Sequence, residues 1–285
     1  MDVGEFTGFN LSLRDPGIAW FEFNTPERLN GMTTSIKRDL IEAVTQAQMD
    51  NAVRVLVFTG SGRAFCAGDD LKAYSNADLG SQALVPDIPP GHDSALGTYN
   101  GLRTISQQLN TSIRNIDKLT IAAINGVAIQ TGFSLALSCD FRLAAQGARM
   151  GSATLRFGLL PDEGGQYLLV RLLGLPGALE FLMRKKIVDA DEALRLGLVN
   201  DVVEAEGLES AAMALAQELA VGPQVSMRLL KRSLYNASEL DWHAALDEIA
   251  AKTAISDHHP DAREGVSAFH DKRTPSFNAW LEDKS

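Results

Sequence analysis

Asp162 and Glu163 are the residues of this 285-residue chain best placed in sequence to move a proton. They follow an apolar lead, Phe157 to Pro161, and precede Gly164-Gly165. Apolar neighbours desolvate a carboxylate and raise its pKa toward what a group serving first as base and then as acid requires. Asp162 reads alternatively as the N-cap of a helix opened by Gly164-Gly165-Gln166. Earlier in the same stretch, the polar turn Gln130-Thr131-Gly132 leads into Phe133-Ser134-Leu135-Ala136-Leu137-Ser138-Cys139, which reads as a helix N-terminus. The first N–H groups of such a helix lack intrahelical partners and favour negative charge in front of them. A donor site for an anion and a sequestered acid are the two parts that proton transfer beside a carbonyl requires.

Other reactive side chains are less well placed. His92 lies in an irregular stretch, Tyr74 to Gly97, and reads either as a loop histidine in solvent or as a general acid or nucleophile reaching a site. His258-His259 with Asp261 has a metal-like look, but adjacent ring vectors diverge and no distant third ligand is indicated, so a loop leading into a helix is the better reading. Cys66 and Cys139 have no CxxC spacing, which implies neither a disulfide scaffold nor a zinc site. No strand-preceded GxGxxG and no GxxxxGK[ST] is present, so no nucleotide cofactor is expected.

The elements that must position these residues can be read from periodicity. Leu11 and Leu13, then Ile18 and Trp20 with Phe21 and Phe23 on the opposite face, flank Asp15-Pro16-Gly17 as a hairpin. Thr33-Thr34-Ser35 can cap a helix with the stripe Ile36, Leu40, Val44 and Ala47. Val53 to Phe58 and Ile121 to Ile124 read as buried strands, and Leu102, Ile105, Leu109, Ile113 and Ile116 as a helix face. Beyond residue 165 the pattern turns mainly helical: 166–173, 177–184, 190–196, 209–220, 224–235, 240–254 and 261–272, with a strand at 198–203. Strands and helices that interleave and then give way to helices make the class α/β.

The net charge of −10 and pI of about 5.0 argue against nucleic acid or an anionic membrane surface as partner. The first ten residues are acidic and lack a signal-like apolar core, and no uncharged apolar run approaches the roughly 20 residues of a membrane span. A cytoplasmic enzyme is expected.

Two motifs, Gly60-Ser61-Gly62-Arg63-Ala64-Phe65-Cys66-Ala67-Gly68-Asp69-Asp70-Leu71-Lys72 and the stretch Thr120 to Gly165, resemble the crotonase (enoyl-CoA hydratase/isomerase) superfamily, over about Phe9 to Phe277. The resemblance implies a spiral of repeated ββα units (1–205), a C-terminal helical region used in trimer contacts (206–285), and a homotrimer or dimer of trimers. It also implies an acyl-CoA substrate with no separate cofactor. Its thioester oxygen would sit between the backbone N–H groups of Asp69 and Thr131. Coenzyme A or substrate contacts fall on Arg28, Leu29, Ala64, Ala67, Gly68, Asp70, Leu71, Lys72 and Gly132, with Phe269, Lys272 and Arg273 in the last helix closing over the adenine. The two glutamates by which hydratases of the family activate water fall on Ser134 and Thr154, neither of which is a competent base alone. Asp162 matches an aspartate of certain isomerases, which the active-site pattern resembles most. Double-bond isomerisation is therefore the favoured expectation. A hydratase or CoA-thioester hydrolase using Glu163 or His92 is the rival within the family, and a non-catalytic acyl-CoA or partner binder the rival outside it.

Overall fold

The computed structural model describes residues 1–70 and 94–281. Three strands, β1 (Gly4–Phe6), β2 (Phe9–Arg14) and β3 (Ile18–Phe23), precede helix α1 (Thr34–Met49). Three passages of two strands and a helix follow. In the first, β4 (Val55–Gly60) and β5 (Ala64–Cys66) precede α2 (Ala95–Gly101), which continues through a π-helical turn at Leu102–Ser106 into α3 (Gln107–Asn115). In the second and third, β6 (Leu119–Ile124) and β7 (Val127–Ile129) lead to α4 (Thr131–Ser138), and β8 (Phe141–Ala145) and β9 (Arg149–Gly151) lead to α5 (Gly165–Met183). Then come β10 (Ile187–Asp189), α6 (Ala190–Arg195), β11 (Asp201–Val203), α7 (Leu208–Val221), α8 (Gln224–Ala237), α9 (Trp242–Asp257) and α10 (Pro260–Asp271).

Each passage gives its first strand to one sheet and its second strand to another. The larger sheet runs β1-β2-β3-β4-β6-β8-β11, antiparallel through β3 and parallel beyond it; the smaller runs β10-β9-β7-β5. This is the expected spiral of ββα units. Strand alternation decides which residues face which core. Phe21, Phe23, Leu56 and Phe58 point to the side covered by α1, α3 and α4, while Ile18, Trp20, Val55 and Val57 face α7 through Leu208, Ala212, Ala216 and Leu219. Thus α7, which begins beyond the expected division at residue 205, lies on the sheet itself.

Thr33 caps α1 as its sequence suggests, its side chain accepting from the Ile36 N–H at 3.2 Å. The periodic face of residues 102–116 is buried at Ile105, Leu109, Ile113 and Ile116, but the helix starts earlier, at Ala95. Helix α2, capped by the Ser94 side chain, therefore takes in Ala95 to Gly97 of the stretch expected to be irregular; residues 71–93, with His92, Leu71 and Lys72, lie outside the described residues. α5 is the one described helix with the length and hydropathy of a membrane span, 19 residues. It is broken at Gly174 (φ 68°, ψ 167°) before Pro176 and carries Arg171 and Glu180.

α8 is tied to the sheet by a buried polar anchor at the ends of β6 and β8. Asp140 accepts from Lys231 Nζ (2.7 Å), Tyr235 Oη (2.7 Å), and the Thr120 N–H (2.8 Å) and Oγ1 (3.0 Å). Burial and the adjacent carboxylate push the Tyr235 hydroxyl well above its ordinary pKa, so it stays a donor. Lys231→Met removes the cation from an ion pair whose lysine is 2% exposed. We expect it to lower the unfolding free energy by about 3 kcal/mol, since breaking a buried pair leaves the partner charge uncompensated. The check is a lower denaturant midpoint at unchanged slope.

Candidate active site

The segment leaving β5 and the N-terminus of α4 meet because β5 and β7 pair in parallel, Ala64 against Val127 and Cys66 against Ala128. At the junction there is no room for a side chain: a Cβ on Gly132 would lie 2.1 Å from the Cys66 carbonyl oxygen. The two motifs are also joined through side chains, Thr131 Oγ1 donating to Asp69 Oδ1 at 2.7 Å. Asp69 and Thr131, the expected donors, are therefore neighbours.

Residues 68–70 bridge Met32 in parallel, the Met32 N–H donating to Gly68 O and the Asp70 N–H to Met32 O, both at 2.9 Å. In an extended chain successive amides alternate, so the Asp69 N–H points away from Met32. Thr131 occupies the first turn of α4, whose first helical bond is the Ser134 N–H to Gln130 O at 2.8 Å. Its amide thus has no intrahelical acceptor.

The loop 25–32 lies against this segment. Leu29 O accepts from the Ala67 N–H at 3.0 Å, and buried Asn30 donates Nδ2 to Ser61 O and Ala64 O. Leu29 and Asn30 both adopt left-handed backbone (φ 55°), which turns the chain back onto it. Arg28, Leu29, Ala64, Ala67, Gly68 and Asp70 are thereby brought together. The Arg28 guanidinium is paired with Asp70 Oδ2 at 2.7 Å. Phe269 (81% exposed), Lys272 and Arg273 have no place in this cluster: they stand at the end of α10, and Arg273 is paired with Glu264. His259 caps α10, its Nδ1 accepting from the Asp261 N–H, as a loop leading into a helix requires.

Asp162 and Glu163 have separate environments. Asp162 is half-buried, and burial raises its pKa above the ordinary carboxylate value, with the Asp69 carboxylate adding to the shift. The apolar lead is not what buries it, for Phe157, Leu159 and Leu160 are exposed while Pro161 alone is buried. Nor does Asp162 cap α5. Gly164 (φ 96°) occupies that position with no side-chain cap bond. The Asp162 carboxylate instead faces Gln130, whose Nε2 donates to Oδ1 at 3.4 Å, and Gln107 holds its backbone carbonyl at 3.0 Å. Gln130 has a positive φ (47°) and accepts at Oε1 from Ser152 Oγ at 2.7 Å, with Thr154 Oγ1 at 3.5 Å. Thr154 therefore sits in a network that ends at Asp162. Ser134 is buried in α4 against Gly165.

Glu163 is 2% exposed and bonded through Oε1 to Lys37 Nζ at 2.7 Å; burial pushes its pKa up to about 7 against the opposing pull of Lys37. Lys37 also pairs with Asp69 Oδ1 at 2.7 Å and donates to Ser106 Oγ at 2.9 Å. Neither Lys37 nor the side-chain role of Gln130 is signalled in the sequence. Lys37 sits beside the apolar stripe of α1 and looks like a solvated charge, and its carboxylate partner is 126 residues away.

The enoyl-CoA hydratase/isomerase family model matches residues 14–280. The chain belongs to that family. It is 34% identical to the 1,2-epoxyphenylacetyl-CoA isomerase of Escherichia coli K12, over 94% of this chain and 98% of the relative. It is 31% identical to the crotonyl-CoA hydratase of Syntrophomonas wolfei, over 93% and 95% respectively. Among solved structures it superposes on the enoyl-CoA hydratase of Bacillus anthracis with a TM-score of 0.85 at 28% identity, covering 95% of this chain and 98% of that one. This protein is an enzyme of the enoyl-CoA hydratase/isomerase family, and its relatives carry both activities in their names.

Proposed function

We propose that this member of the family isomerises a carbon–carbon double bond in an unsaturated acyl-CoA, with Asp162 as the single acid/base. The observation that carries this reading is the Asp162 carboxylate, half-buried and raised in pKa, held by the side chain of Gln130 immediately before Thr131. The backbone N–H groups of Asp69 and Thr131 receive the thioester oxygen. Asp162 takes a proton from C2 of a 3-enoyl-CoA, and the C–H electron pair spreads over the dienolate to that oxygen. The same carboxyl returns the proton at C4, leaving the double bond conjugated with the thioester and the composition unchanged. One carboxylate suffices, which agrees with the hydroxyls of Ser134 and Thr154 where water-activating glutamates would stand. The isomerase name of the Escherichia coli relative supports the reading.

Arg28, Leu29, Ala64, Ala67, Gly68 and Asp70 form the coenzyme A side of the site, with Leu71 and Lys72 following in sequence and Gly132 bringing the second donor close. Coenzyme A enters as part of the substrate, and no other cofactor is required. A homotrimer or dimer of trimers in the cytoplasm fits the apolar surface of the last helices, where Trp242 and Phe269 are 72% and 81% exposed in the single chain. In that assembly Phe269, Lys272 and Arg273 would reach an adenine from a neighbouring subunit.

Glu163 supports a second reading, as the base of a hydratase, because burial raises the pKa of its carboxyl toward that of a general base. Mass spectrometry and ultraviolet absorption on a 3-enoyl-CoA and a 2-enoyl-CoA separate the two. We expect the 3-enoyl-CoA to become a conjugated thioester at constant mass. Gain of one water by the 2-enoyl-CoA, with no isomerisation of the 3-enoyl-CoA, would overturn the isomerase reading.

A further inference from the structure

Lys37 is a buried charged group beside the site that the proton-transfer scheme leaves unused. It is 1% exposed on α1, yet its ammonium group contacts three other segments: the residues after β5 through Asp69, the approach to α5 through Glu163, and the π-helical turn through Ser106. Asp69 Oδ1 accepts from both Lys37 Nζ and Thr131 Oγ1. The cation is therefore one side chain away from each of the two residues whose amides receive the thioester oxygen. Without the Lys37 cation, the Asp69 carboxylate there would oppose the negative charge that an enolate places on that oxygen, and a low-dielectric site magnifies the opposition.

We propose that Lys37 is a positioning residue which cancels the Asp69 carboxylate beside the oxyanion donors and so permits the enolate to form. This rests on the assignment of those donors but not on the choice between isomerase and hydratase. Thr131 fixes the Asp69 carboxylate from one side and Lys37 from the other, so the negative group is neutralised where it lies. Glu163 shares the cation, and burial raises its pKa, which favours its neutral form; Asp69 Oδ1 is the atom that both Lys37 and Thr131 hold.

The test reads enolate formation directly, with acetoacetyl-CoA titrated over pH against the native protein, Lys37→Met, Asp69→Asn and the double variant. The enolate of this 3-oxoacyl thioester is followed by its ultraviolet band, and bound ligand is measured separately. We expect Lys37→Met to bind the ligand but to lower its enolate-to-keto ratio roughly ten-fold or more at fixed pH, because removing one positive charge from beside the oxyanion lowers its stabilisation by at least about that factor. Asp69→Asn keeps the Thr131 hydrogen bond and should raise the ratio above native. The double variant should return most of what Lys37→Met loses. That rescue separates the proposal from a purely structural role, since a second buried polar change would only add damage. An enolate ratio in bound Lys37→Met equal to native, or a double variant no better than Lys37→Met, would overturn it. Should Lys37→Met not fold, Asp69→Asn alone decides: a ratio at or below native counts against the proposal. Native protein that binds acetoacetyl-CoA without enriching its enolate would instead overturn the oxyanion-donor assignment beneath it.

Discussion

Asp162→Asn is expected to reduce isomerisation of a 3-enoyl-CoA by about 10²–10⁴-fold, the range lost when a positioned general acid/base is removed. Asparagine retains the contact with Gln130 Nε2 through its carbonyl oxygen but cannot take up and return a proton. Thioester binding should be preserved, so the loss belongs in kcat and leaves KM nearly unchanged. Stability should move by no more than about 0.5 kcal/mol, because Asp162 neither caps α5 nor belongs to the packed core. The pH profile carries the sign of the assignment. Asp162 must begin ionised, and its pKa lies above the ordinary aspartate value. Isomerisation should therefore decline as pH falls through that raised pKa, and Asp162→Asn should lose that limb. If Asp162→Asn isomerises normally while Glu163→Gln does not, the proton is carried by Glu163 and the assignment fails.

Much of the fold was legible because burial imposes a period. The face Leu102, Ile105, Leu109, Ile113 and Ile116 marked a helix even though a π-helical turn interrupts the hydrogen-bond ladder there. The break of α5 at Gly174 and Pro176 could likewise be read from residue type. The start of α4 at Thr131 was legible too, since a polar turn before an apolar segment reads as a helix N-terminus. What was not legible is pairing at a distance. Lys37, Arg38 and Asp39 are all buried in the first two turns of α1, and a run of three charged residues gives no local sign of that. Burial follows from partners elsewhere, such as Glu163 and Ser106, which only the completed fold supplies. The cause of the Asp162 shift is illegible on the same ground: adjacent apolar residues in sequence suggest its desolvating surroundings, yet Phe157, Leu159 and Leu160 are exposed.

Gly132→Ala is expected to be the most damaging small substitution near the site. Its Cβ would fall 2.1 Å from Cys66 O, 2.7 Å from Cys66 Cβ and 2.8 Å from Cys66 C, and backbone atoms cannot swing aside as a side-chain tip can. Either β5 or the first turn of α4 must shift. Overpacking of this kind costs about 1–3 kcal/mol. The functional cost is larger, because the displaced segments carry the two expected donors, Asp69 and Thr131. Losing the alignment of one oxyanion donor costs roughly 10²–10³-fold in kcat. Gly207→Ala provides the contrast, since a Cβ there meets nothing within 4 Å and its φ is −91°. We expect Gly207→Ala to retain native kcat and thermal midpoint while Gly132→Ala loses both. Equal activity in the two alanine variants would mean that the approach of α4 to Cys66 does not align the donors.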